Sequence, residues 1–222
     1  MKKVIIFDMD GVLIDSEPAY LEMNKSLFTE LGIEMNSGEY EKFVGMDSYK
    51  MWSLIKSKYN LSQSTDELRL TEKNLMKDVL NSPAVSQTIN GIPELLQLFR
   101  EKKYLMSLAS SSSAENIQLI VSKLNLSEYF DFIVSGEEVK NGKPAPDIFL
   151  KVSQELNVPL HYCFVIEDSS NGVKAAMSAG MHCIGFKNNG SNNQDISNAD
   201  LILDSFSENE RKRLSYFIES FN

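Results

Sequence analysis

Carboxylates, hydroxyls and one lysine recur at the ends of short apolar runs in this 222-residue chain. Asp8 and Asp10 follow the run Val4–Phe7, and Ser110, with Ser111 beside it, follows the run that starts at Tyr104. Lys143 precedes Pro144-Ala145-Pro146, and Glu167 and Asp168 follow Cys163–Ile166. Several carboxylates converge only around a cation, and an all-oxygen donor set with a single lysine selects a hard ion such as Mg²⁺. Phosphate would complete such a site. Phosphoryl transfer spreads charge over equatorial oxygens and needs cations, hydrogen-bond donors and an in-line nucleophile. In that chemistry Asp8 is the nucleophile. Asp10, two residues on and on the same side of an extended chain, protonates the leaving oxygen and later deprotonates the attacking water. Ser110 and Lys143 hold phosphate oxygens, while Glu167 and Asp168 anchor the metal that bridges Asp8 to the phosphate.

Singly, each of these residues has a plain structural reading. Asp8 and Asp10 could form a turn, Ser110 a helix entry, Lys143 a solvated surface charge, and Glu167 with Asp168 the caps of the next helix. Their shared position after successive strands is what points to chemistry, because open parallel sheets bind ligands outside the carboxyl ends of their strands.

The elements that must place them are legible in the hydrophobic pattern. Val4–Phe7 reads as a buried strand. After it come helical stripes: Tyr20, Met23, Leu27 and Leu31 ending at Gly32; then Trp52, Ile55 and Tyr59. A third helix starts at Ser64, with Glu67 at capping-box spacing, and continues through Leu68, Leu75, Met76 and Val79. From Gly91 strands and helices alternate. Pro93 opens a helix with Leu95, Leu96 and Phe99; strand 104–110 precedes a stripe of Ile117, Ile120, Val121 and Leu124; strand 132–135 precedes a helix from Pro146. Strand 163–166 precedes a helix over 172–179, and strands 183–186 and 201–203 precede a final helix. That alternation predicts an α/β fold with a parallel sheet covered on both faces, interrupted after its first strand by an all-helical module. The expected boundaries are a core of residues 1–15 and 87–222 around a helical cap of residues 16–86.

A net charge of −9 without a basic run argues against nucleic acid and anionic membrane as partners. No stretch is apolar over the length needed to span a bilayer. Cys163 and Cys183, the two cysteines, form neither a disulfide framework nor a metal-type spacing, which fits a reducing cytoplasm. His161 and His182 lie outside every motif and receive no role, and no Gly-x-Gly-x-x-Gly follows a strand. A signalling receiver module also gathers acids, a hydroxyl and a lysine around Mg²⁺, but Asp8 follows the first strand and a helical insert comes next.

These residues resemble the motifs of the haloacid dehalogenase-like hydrolase superfamily over essentially the full chain. The four motifs are Ile5-Ile6-Phe7-Asp8-Met9-Asp10-Gly11-Val12-Leu13-Ile14-Asp15-Ser16, then Ser110, then Lys143-Pro144-Ala145-Pro146-Asp147, then Ile166-Glu167-Asp168-Ser169-Ser170-Asn171-Gly172. The resemblance implies a Rossmann-like core, a helical cap inserted after the first motif, and Mg²⁺ held by Asp8, the Asp10 carbonyl and Asp168, with Glu167 near or in the metal shell. Within the superfamily the chain is similar to the β-phosphoglucomutase and sugar-phosphate phosphatase branch. Tyr20 stands where the mutase has a histidine, and the loop Gly45-Met46-Asp47-Ser48 lacks the mutase's arginine. Asp15-Ser16-Glu17-Pro18 looks more like the phosphatase members. The implied partner is a small phosphorylated metabolite, with hydrolysis favoured and mutase activity as the alternative; the oligomeric state stays open. The candidate substrate contacts are Glu17, Tyr20, Gly45, Ser48 and Ser111, brought over the core by cap closure about hinges near 15–17 and 82–86. Lys73 and Lys77 are the cap cations considered for a second phosphate.

Overall fold

The structure, a computed structural model, describes residues 2–188 and 194–221, except for the side chains of Ser37 and Ala84. Its centre is one sheet of β1 (Val4–Phe7), β2 (Leu105–Ser110), β3 (Phe132–Ser135), β4 (Cys163–Glu167), β5 (His182–Phe186) and β6 (Leu201–Leu203). The strands lie in the order β3-β2-β1-β4-β5-β6, and every pairing is parallel. The chain builds outward from β1 to β2 and β3, then returns to the other side of β1 for β4. This is the strand-order reversal at which open α/β sheets leave a crevice.

Strand periodicity explains how four apolar residues of β1 serve two cores. Ile5 and Phe7 face a cluster with Leu95, Phe99, Ile117, Ile120, Leu214 and Ile218, from α5 (Ile92–Glu101), α6 (Ala114–Lys123) and α9 (Glu208–Glu219). Val4 and Ile6 face the opposite side, packed with Ile148, Phe149, Val152, Val173 and Ala176 of α7 (Asp147–Glu155) and α8 (Ser170–Ser178). Burial on both faces is why β1 reads as an unbroken apolar run.

The helical cap contains α1 (Glu17–Glu30), the single turn α2 (Ser37–Tyr40), α3 (Ser48–Tyr59) and α4 (Thr65–Asn81). It has its own core, with Leu27, Phe28, Trp52, Ile55 and Leu68 at its centre. The Phe28 and Trp52 rings meet edge to face at 6.0 Å. The capping box at Ser64 is formed: its hydroxyl accepts from the Glu67 N–H at 3.2 Å, and the Glu67 carboxylate accepts from the Ser64 N–H at 2.7 Å.

Several expected elements shift. The buried face of α1 carries Tyr20, Asn24, Leu27 and Phe28, because the Asn24 amide donates to the Tyr40 hydroxyl at 2.9 Å and turns that face toward α2. Strand β2 starts at Leu105, since Tyr104 still donates its N–H to Phe99 O at the end of α5. Helix α8 starts at Ser170, with Ser169 as the cap that accepts from Gly172 N. Cys163 and Cys183 are buried free thiols, and no described helix is long and apolar enough to cross a membrane.

Candidate active site

Register assembles the site floor. Phe7 pairs with Leu108 on one side and Ile166 on the other, so the residues just beyond, Asp8, Ser110, Glu167 and Asp168, arrive together at the carboxyl edge. Lys143 reaches beneath them from the segment before α7. Its ammonium donates to Asp8 Oδ1 at 2.6 Å, Glu167 Oε1 at 2.7 Å and the Ala109 carbonyl at 3.2 Å, and it is 1% exposed. Burial works against this ammonium, but Asp8 and Glu167 outweigh it and hold the Lys143 pKa above the ordinary lysine value. Burial also dominates at Asp8, whose carboxyl is pushed up to about 8 despite Lys143.

Asp10 hangs over the cleft under tight control. Its two oxygens accept from the hydroxyls of Ser16 at 2.6 Å and Ser112 at 2.9 Å. Burial raises its pKa, with those two hydroxyls pulling the other way. The Tyr20 hydroxyl is buried beside Asp10, close enough to act on its charge, and makes no other hydrogen bond among the described residues. Desolvation and then the Asp10 charge hold the Tyr20 phenol well above its usual pKa, so it is a neutral donor. The turn that presents Asp10 requires Gly11: its φ is +79°, and a Cβ there would lie 1.9 Å from Asp168 Oδ2.

Asp8, Glu167 and Asp168 each offer a carboxylate oxygen within 4.8 Å of the others. The hard, all-oxygen character of this set suits a divalent ion such as Mg²⁺. Glu167 is already committed, however. Oε1 accepts from Lys143, and Oε2 accepts from the N–H and hydroxyl of Ser169, both at 3.0 Å. Its immediate partners are therefore protein groups, with Asp8 and Asp168 beside it.

Above the floor lies a cleft of about 260 Å³, at the small end of ligand-enclosing sites. Asp8, Asp10, Ser110, Ser111 and Asp168 line it from below; Glu17, Tyr20, Gly45 and Ser48 line it from the cap. Nine of the eleven residues expected at the site thus share one cavity, while Lys143 and Glu167 lie buried behind its floor. Ser111 also fastens the cap, donating its hydroxyl to the Gly45 carbonyl at 3.1 Å. Asn171 adds a bond to Val44 O at 2.8 Å, so the 42–48 loop is pinned against the core. Of the two cap lysines considered, Lys73 lines the cleft near Glu137 at 3.6 Å and Glu115 at 3.9 Å, and Lys77 pairs with Glu115. The sequence reading missed Ser16, Ser112, Arg69 and Glu72. Glu72 did leave a signal: an acidic residue four positions after Leu68, within an apolar helical stripe.

A parallel sheet with carboxylates at the ends of β1 and β4, a buried lysine behind them and a helical cap above is an α/β architecture with a buried acidic cluster at its strand ends. Residues 5–186 match the haloacid dehalogenase-like hydrolase family, and the chain belongs to that family. It is 31% identical over 182 residues to a phosphorylated carbohydrates phosphatase of Thermotoga maritima, covering 82% of this chain and 83% of the relative. Hexitol phosphatase B of Escherichia coli is 27% identical over 180 residues, 81% of each chain. Among solved structures, a β-phosphoglucomutase from Clostridium difficile superposes with a TM-score of 0.86 at 25% identity, covering 100% of this chain and 99% of that one.

Proposed function

We propose that this protein is a Mg²⁺-dependent phosphatase of small sugar or polyol monophosphates that works through a phosphoaspartate on Asp8. The observation that carries the proposal is the Asp8 carboxylate, fixed by Lys143 at the floor of a small capped cleft, with Asp10 reaching in beside it. Asp8 attacks phosphorus and the ester P–O bond breaks, the departing alcohol oxygen taking its proton from Asp10. Burial supports the protonated form of Asp10 that this step needs. Water then gives a proton to Asp10 and attacks phosphorus, which restores Asp8 and releases inorganic phosphate. Mg²⁺, when bound by Asp8 and Asp168 with the Asp10 carbonyl, supplies charge stabilisation at the phosphoryl oxygens. Glu167 holds Lys143 and the Ser169 turn in register for that set. The buried free thiols support a reducing, cytoplasmic setting.

Mutase activity is the second reading, favoured by the likeness to β-phosphoglucomutase and by Arg69, a cap cation on the cleft wall. Against it, Arg69 shares its wall with Asp47 and Glu72, and Lys73 already lies near two glutamates. These acids compete with a second phosphate dianion for the cap cations. The expected result is phosphate release from hexitol or hexose monophosphates, with no glucose 6-phosphate formed from β-glucose 1-phosphate primed with glucose 1,6-bisphosphate. A coupled glucose-6-phosphate dehydrogenase assay reads this directly, and rapid signal would decide for the mutase.

A further inference from the structure

The cap holds a carboxyl group that the steps above do not use. Glu72 lies on the inward face of α4 and is 3% exposed, yet it lines the cleft. Its Oε2 accepts from the Trp52 indole N–H at 2.9 Å and from the Ser48 hydroxyl. Both described hydrogen bonds fall on that one oxygen, so Oε1 is uncommitted. Pinning α3 to α4 would need only one acceptor, and a neutral amide would supply it without the cost of a buried charge. Burial indeed raises the Glu72 pKa, with Ser48, Trp52 and Arg69 pulling it back.

Arg69, one turn earlier on α4, lines the same wall. Its Nε is buried with no hydrogen-bond partner among the described residues. The acid it pairs with, Asp66, stands 3.7 Å away, beyond hydrogen-bond reach, and is 82% exposed, which makes a weak pair. A planar donor fork, held over the Tyr49 ring at 5.6 Å, therefore shares a cleft wall with a carboxylate that has one accepting oxygen spare. Neighbouring hydroxyls on a carbon chain match this arrangement, one donating to Oε1 and the next accepting from the guanidinium.

We propose that Glu72 and Arg69 form a donor–acceptor grip for adjacent hydroxyls of the substrate, which is thereby a polyhydroxylated phosphate ester with an uncharged far end. The inference rests on the phosphatase reading and names its substrate class. Glu72 and Asp47 on the same walls compete with a second phosphate for Arg69.

The test compares two esters of equal carbon count, sorbitol 6-phosphate and n-hexyl phosphate, the second without hydroxyls. Two charge-assisted hydrogen bonds predict that wild-type kcat/KM favours the sorbitol ester by at least ~100-fold. In Glu72→Gln the amide oxygen takes over the Trp52 and Ser48 bonds and turns an NH₂ into the cleft; in Arg69→Met the donors are gone. Each change should cut the preference by about tenfold, mainly through KM for the sorbitol ester, with the hexyl ester unaffected. No preference in wild type, an unchanged preference in both variants, or an equal loss on both esters would each overturn the grip. If Glu72→Gln does not fold, Arg69→Met and the wild-type preference decide. If wild type releases phosphate from neither ester, the phosphatase reading fails, and calorimetric titration of the same esters decides the grip: tighter sorbitol-ester binding that Arg69→Met abolishes supports it, and equal binding overturns it.

Discussion

Asp8→Asn should lower kcat by at least ~10⁴-fold, the scale seen when a nucleophile is removed from a site whose other parts remain. The amide matches the carboxylate in shape but cannot form the acyl phosphate. Folding should not suffer. Desolvation disfavours the Asp8 charge and lifts its pKa to about 8, so a neutral side chain removes a cost of burial, while Lys143 keeps Glu167 at 2.7 Å. In metal-free buffer the thermal midpoint should therefore equal or exceed that of wild type. Phosphate-release rates and calorimetry on pure protein check both halves, and a residual rate above about 1% would place the nucleophile elsewhere.

Lys143→Met should be the most damaging change to stability. It leaves Asp8 and Glu167, 6% and 0% exposed, without their shared cation. Removing one partner from a buried charge cluster costs roughly 3–5 kcal/mol. The loss should depend on pH in a defined direction. Without Lys143 the folded-state Asp8 carboxyl, already lifted by burial, rises further above its unfolded value. Stability is then retained where Asp8 is protonated, near its unfolded pKa of about 4, and falls as pH climbs through the raised value. Urea unfolding at pH 5 and pH 8 should show the larger deficit at pH 8; an equal deficit would mean that only the packing of the long side chain matters. Turnover should fall by about 10²–10³-fold, as for loss of one preorganised charge partner.

What could be read from the sequence follows the range of the forces involved. Strand β1, the capping box at Ser64 and the apolar stripe of α5 are set by neighbours a few residues apart, so the pattern contains them. Asp8, Asp10, Ser110 and Asp168 were legible because each must follow a strand, and parallel pairing brings strand ends together wherever the sheet order places them. The sheet order itself, with β1 between β2 and β4, is a long-range property that no local periodicity encodes. The clamp on Asp10 was hidden for the same reason: Ser16 and Ser112 are ordinary serines until the fold sets both against one carboxylate. Arg69 was hidden on a solvated-looking helix, and only the position of α4 over the sheet turns it inward. Division of the chain into a core of 1–15 and 87–222 and a cap of 16–86 remains our proposal, supported by the separate apolar cluster of α1, α3 and α4.

The most direct test of the account looks for phosphate on Asp8 itself. Asp10→Asn protein with Mg²⁺ and p-nitrophenyl phosphate needs no acid for its leaving group, yet it lacks the base that hydrolyses the intermediate. Acid quench, borohydride reduction and peptide mass spectrometry should then find homoserine at position 8, the mark of an acyl phosphate there. Label on any other residue, including a phosphoserine at Ser110, or nitrophenol release with no trapped phosphate on the enzyme, would contradict Asp8 as the nucleophile.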